Sequence, residues 1–201
     1  MAELDRPRIA AAALRVADER GASGFTMRAV AEALGVTPMA LYHHVADKAG
    51  LVALAVDAAI CESPLPPPTG FWQDDLWEVA RWVRDNSRAH PAIGRLRMTH
   101  RVWTPSIFPM SERWVSVWQQ SGLPLDQALT AASVSSIAVI GLVEAEAGLE
   151  HLDPPPAEML AMMPNARLLF CVARDREAGF ELAVRSLIEG LHARLTVSPD
   201  G

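Results

Sequence analysis

The residues best suited to chemistry sit in the stretch TPMALYHHVADK, residues 37 to 48. It carries Tyr42, His43 and His44 and closes on Lys48, the only lysine beside seventeen arginines. A tyrosine hydroxyl, two imidazoles and an ammonium are donors suited to phosphates and base edges. Adjacent helical residues point about 100° apart, and no third ligand is evident, so His43 and His44 are not read as a metal site. Catalysis finds no support either. Ser133, Ser135 and Ser136 lie on an apolar helical stretch without a Gly-x-Ser-x-Gly elbow. There is no phosphate-cradling glycine-rich loop and no His-Glu-x-x-His pattern. Cys61 and Cys171 match no metal spacing; free thiols in a cytoplasmic protein are the reading that fits. No cofactor is expected.

Short helices must hold these groups. The first is expected from about Arg8 to Arg20, with Ile9, Ala13, Val16 and Ala17 on one face, ended by Gly21 and Gly24, with Phe25 as a core anchor. Thr26 is placed to N-cap a second helix, Met27 to Leu34, whose inner face is Val30, Ala31 and Leu34. Gly35 supplies the left-handed residue of a tight turn. Thr37 caps a third helix with Pro38 at its first position, where the missing N–H costs nothing. Asp47 caps a fourth helix that begins at Lys48. Two short helices joined at Gly35-Val36 form a helix-turn-helix, with Leu41 and Val45 turned into the core. The third helix then offers a short, nearly uncharged surface to a major groove about 12 Å wide. Pro38 and Met39 suit thymine methyls, His43 or His44 a base edge or phosphate, and Tyr42 a phosphate. Lys48 pairs its ammonium with a helix N-terminus that also favours phosphate. Arg28 suits a bidentate guanine contact.

The segment FTMRAVAEALGVTPMALYHHVADKAGL resembles the DNA-binding domain of the TetR family of transcriptional regulators. Thr26, Ala31, Leu34, Gly35, Val36 and Leu41 match that pattern without a gap, as do Tyr42, His44, Val45, Lys48 and Leu51. LYHHV most resembles the tetracycline-repressor branch. The resemblance implies phosphate contacts at Tyr42 and Lys48 and groove-facing Arg28, Thr37, Pro38, Met39 and His43. Thr26, Met27 and His44 complete the expected DNA-facing set, although Met27 stands where the family commonly has a hydroxyl residue. It also implies a C-terminal helical domain for ligand sensing and dimerisation. The expectation is thus an all-α chain, with a helix-turn-helix domain over residues 1–50 and a helical ligand-binding and dimerisation domain over 51–201.

The net charge of −6 is distributed unevenly. Residues 1–50 hold six basic and six acidic groups, leaving twelve basic and eighteen acidic in the remainder. DNA affinity must therefore come from a few placed contacts. No secretory signal and no run of roughly 18 apolar residues is seen, so no membrane partner is expected. Proline-rich stretches at 63–70 and 153–156 read as loops, the second extended by Pro164. Helices are expected near 72–89, 92–100, 106–121, 124–149 and 166–195, the last broken near Gly179.

All six tryptophans lie between residues 72 and 118. Core filling accounts for such a cluster. An aromatic pocket is the sharper reading, walled by Trp82, Met98, Trp103, Phe108, Met110, Trp114 and Trp118 with His100 and Glu144 as polar anchors. Its unknown small-molecule effector would be apolar or aromatic. The 124–149 helix is apolar nearly all round. It is expected to pair through Ala132, Ser136, Val139 and Val143 with a stripe of Phe180, Val184, Leu187 and Leu191 in a two-fold homodimer. The functional expectation is a one-component repressor released from a pseudo-palindromic double-stranded DNA operator by a small molecule. The alternative is a dimeric helical binding protein that reads no DNA.

Overall fold

Polar side chains start each of the first four helices. Thr26 accepts from the Ala29 N–H at 3.1 Å, Thr37 from Ala40 at 3.2 Å, and Asp47 from Gly50 at 2.8 Å. Each satisfies an N–H that the first helical turn leaves unpaired. The computed structural model describes residues 4–149, 153–163, 165, 167–168 and 175–197. The helices are α1 (Arg6–Gly24), α2 (Met27–Leu34), α3 (Pro38–Tyr42), α4 (Lys48–Cys61) and α5 (Trp72–Ala89). After them come α6 (Pro91–His100), α7 (Ile107–Gln119), α8 (Leu125–Leu149), α9 (Ala157–Ala161) and α10 (Arg176–Thr196). No strand occurs among the described residues, and the fold is all-α as expected.

Asp5 caps α1, which therefore starts two residues before the expected Arg8. Gly21, at φ 67°, bends the helix near its end. Gly35 sits at φ 70° and ψ 31°, and its left-handed turn closes α2 through bonds back to Ala31 and Glu32. The region around Pro64 to Gly70 is irregular. In α10, Gly179 donates to the Asp175 carbonyl at 2.9 Å, so the break expected there is absent and the helix runs on to Thr196. The helix itself begins at Arg176, capped by Asp175. Short α9 follows the second proline run and was not expected. Pro164 and Cys171 lie outside the described residues.

Two apolar cores result. The first joins α1–α4 to α6, with Ile9, Val16, Phe25, Leu41, Leu51 and Val52 buried beside Ile93 and Leu96. The second joins α5, α7, α8 and α10 around Leu76, Trp77, Trp118, Val139, Val184 and Ile188. Helix α4 starts at Lys48 and runs across the 50/51 boundary expected from the sequence, and its buried residues belong to the first core.

A buried guanidinium ties the second core together. Arg84 on α5 is fully buried and bonds Glu146 on α8 through Nε at 2.7 Å and Nη2 at 2.6 Å. It also reaches Glu177 at 2.5 Å and the Arg176 carbonyl at 2.9 Å on α10. Its plane lies 4.4 Å from the Phe180 ring centroid. A buried charge held on several sides keeps its desolvation cost covered.

Candidate nucleic-acid interface and ligand cavity

Helix α3 is five residues long, and its sides face different surroundings. Leu41 is fully buried, and Val45 follows it into the core. Met39 is 69% exposed and Tyr42 48% exposed. Thr37, Pro38, His43 and His44 are also exposed. Ala31, fully buried, leaves room for the two helices to approach. The expected outward set is therefore brought together on one surface, two residues past the Gly35 turn. Arg28 is exposed on α2, and among the described residues it has no partner. Thr26 is exposed but spends its hydroxyl oxygen on the α2 cap. Met27 is half-buried against the first core, which limits how much of it reaches outward.

Lys48 is the first residue of α4. Its ammonium lies 6.0 Å from the Phe25 ring centroid, so its stem packs on the domain while its charge stays at the α4 N-terminus. Ammonium and unpaired N–H groups at one point favour an oxyanion. Ion pairs on α1 and between α1 and α2, Arg15 with Glu19 at 3.9 Å and Arg20 with Glu32 at 3.3 Å, occupy those charges, and α3 itself contains no charged residue.

A cavity of about 460 Å³ opens between the two cores. Val56 and Ile60 of α4 form one wall, Trp82 and Asn86 of α5 another, and Ile93, Gly94 and Arg97 of α6 a third. Met110 and Trp114 of α7 and Val139 and Glu144 of α8 complete it. Of the sequence-expected pocket residues, Trp82, Trp103, Met110, Trp114 and Glu144 line this space. The other four do not. Met98 and Phe108 are exposed, at 59% and 60%, because each is turned off the helical stripe that faces inward. His100 is the last residue of α6, outside the lining. Trp118 is fully buried in the second core, its ring centroid 5.5 Å from that of Trp72.

The expected dimer residues also need correction. Ala132, Ser136, Val139 and Val143 all line the cavity, and Ala132, Val139 and Val143 are buried within one chain. Phe180 and Val184 are likewise buried, while Leu187 and Leu191 pack half-buried on the second core. Both stripes have the right helical spacing; each faces its own chain. Apolar side chains left bare on these helices include Val134 on α8, 44% exposed, and Leu182 on α10, 70% exposed; Ile137 on α8 is 69% exposed and also borders the cavity.

Asn86, His90, Arg97 and Ser111 were missed as lining residues. Their only sequence signal was position: Arg97 stands one turn after Gly94 on α6. His90 is buried at the edge of the cavity, its Nδ1 3.0 Å from Asp18 on α1 and its Nε2 3.2 Å from Glu62 just past α4. Asn86 donates to the Ala59 carbonyl at 2.8 Å, and Asp57 on α4 accepts from Ser106. Cavity walls and DNA-facing domain are thus bonded to each other through α4.

Residues 9–55 match the model of bacterial regulatory proteins of the tetR family, and residues 63–195 match the tetracyclin repressor-like C-terminal domain. An HTH-type transcriptional regulator of Saccharopolyspora erythraea is 30% identical over 151 residues, covering 75% of this chain and 64% of the relative. The class D tetracycline repressor protein of Escherichia coli is 29% identical over 203 residues, covering 98% of this chain and 93% of that one. Among solved structures, the Streptomyces coelicolor TetR family protein ActR in complex with (S)-DNPA aligns with a TM-score of 0.75 at 26% identity, over 96% of this chain and 100% of that one. With its two parts matched in order along most of its length, the chain belongs to the TetR family of bacterial regulatory proteins.

Proposed function

We propose that the protein is a one-component transcriptional repressor of the cytoplasm that leaves a pseudo-palindromic operator when a small molecule fills its cavity. The observation that carries this reading is the division of α3: Leu41 is buried while Met39 and Tyr42 stand exposed beside the α4 N-terminus. A neutral packing element would have no reason to present that set together with an unpartnered Arg28. Two copies, joined through the bare face of α8 and α10, would set their α3 helices in successive major grooves about 34 Å apart. Tyr42 and Lys48 hold phosphates and fix register; Arg28, Thr37, Pro38, Met39 and His43 meet base edges. Nothing in the arrangement calls for a chemical step on the ligand.

Helix α4 carries the signal. Lys48 begins it, Val56 and Ile60 line the cavity near its far end, and its 14 residues span about 21 Å. A ligand that fits only when α4 is displaced acts through a difference in affinity between two states, typically on the order of 1–3 kcal/mol. The likeness to a relative crystallised with a small molecule supports this assignment of the cavity.

Selection of bound duplexes from random DNA tests the reading. Enrichment of a palindrome with half-sites about one helical turn apart is the expected result. Recovery of no sequence would leave a dimeric small-molecule-binding protein without DNA recognition.

A further inference from the structure

The hydrogen-bond inventory of the cavity wall narrows what fills it. The indole N–H groups of two wall tryptophans are already used: Trp82 donates to the Ser63 carbonyl at 3.1 Å and Trp114 to the Ser135 hydroxyl at 2.9 Å. These rings therefore offer the ligand flat apolar surface and no donor. The Ser111 and Ser136 hydroxyls donate back into their own helices, to Ile107 and Ser133. His90 has a carboxylate at each ring nitrogen.

Two charged lining groups lack any such partner among the described residues, Arg97 and Glu144. Gly94 brings them near one another. A Cβ at position 94 would lie 2.6 Å from Glu144 Oε1, so the carboxylate rests directly on the α6 backbone. Arg97 follows one turn later on the same face. The two are not equivalent. Glu144 is exposed and keeps its water, whereas Arg97 is half-buried in a largely apolar wall. A partly desolvated guanidinium gains more from a counter-charge than a solvated carboxylate does.

We propose that the cavity takes a planar aromatic ligand bearing an acidic oxygen, with Arg97 as its anion anchor and Glu144 as a rim group that disfavours a second negative charge. This rests on reading the cavity as the effector site. Guanidinium donors in a fixed fork suit a carboxylate or similar oxyanion, while the ring system lies against Trp82 and Trp114.

Calorimetry on the full-length protein with three probes sharing one ring system tests it: naphthoate, naphthylmethanol and naphthylmethylammonium, at neutral pH and low salt. Naphthoate is expected to bind about tenfold tighter than the alcohol, the ammonium no tighter than the alcohol. Arg97→Gln should bring naphthoate down to the alcohol and leave the alcohol unchanged; Arg97→Lys should restore part of the difference. Equal binding of acid and alcohol would overturn the assignment, as would a parallel loss of both in Arg97→Gln. So would failure of all three to bind, or an ammonium preference removed by Glu144→Gln. An operator selection that fails while the probe ranking holds would reject the repressor and leave the anion site standing. The reverse pattern would reject the anion site alone.

Discussion

Tyr42 and Lys48 would hold phosphates by different means, and salt separates them. Lys48 brings a full charge to a helix N-terminus, so its contact releases a counterion. Tyr42 brings a neutral hydroxyl on a stiff ring. In gel-shift titrations over a salt series, Lys48→Ala is expected to weaken operator binding on all sequences and to reduce the slope of log affinity against log salt by about 1. Tyr42→Phe should weaken binding with the slope retained. An unchanged slope in Lys48→Ala would remove Lys48 from the phosphate contacts. The reading head was legible at this scale because its determinants are local. Capping hydroxyls, a left-handed glycine and a three-residue spacing are set by covalent geometry within a dozen residues, and Thr26, Gly35, Thr37 and Asp47 each do what their position demands.

Among elements, the junction of α5, α8 and α10 depends on Arg84. Its hydrogen bonds hold the Glu146 carboxyl below the usual carboxylate range, against the opposing effect of burial; the same contacts raise the Arg84 guanidinium. A carboxyl whose pKa is depressed by folding adds stability that is complete above the ordinary carboxylate range and lost as pH falls through its folded value. Glu146→Gln is therefore expected to cost about 3 kcal/mol at neutral pH. The gap between variant and parent should close in acid. Urea unfolding of both proteins across that range checks it; a gap constant with pH would show that the ion pair contributes nothing beyond packing. This network was not legible in advance, since its partners are separated by 62 and 93 residues. The same limit explains the misplaced stripes. Spacing identified the apolar faces of α8 and α10 correctly, but periodicity names a face without naming what lies against it. Only the packing of α7 and α5 on α8 shows that Ala132 and Val139 belong to the cavity wall.

At the scale of the whole molecule, the long apolar helix α8 is left largely uncovered. The best 18-residue window of α8 has a mean hydropathy of 1.7, yet only 33% of it is buried within the chain. Its Glu146 is fixed by Arg84, and its inward face borders a cavity. A second copy is the cover consistent with these contacts. Leu182 stands on the side of α10 opposite Phe180, Val184 and Ile188. Leu182→Asp is expected to yield a monomer in sedimentation at micromolar concentration, with helix content retained and binding to a full operator sharply reduced. A dimer that persists would move the interface away from α10.

The confinement of every tryptophan to residues 72–118 gives the molecule a native optical probe. Three of the six indoles border the cavity, and the DNA-facing segment contains none. Ultraviolet emission thus reports arrival of a guest in the sensor half and remains nearly blind to events along α3, so the two ends of the switch are observable separately without attaching a dye.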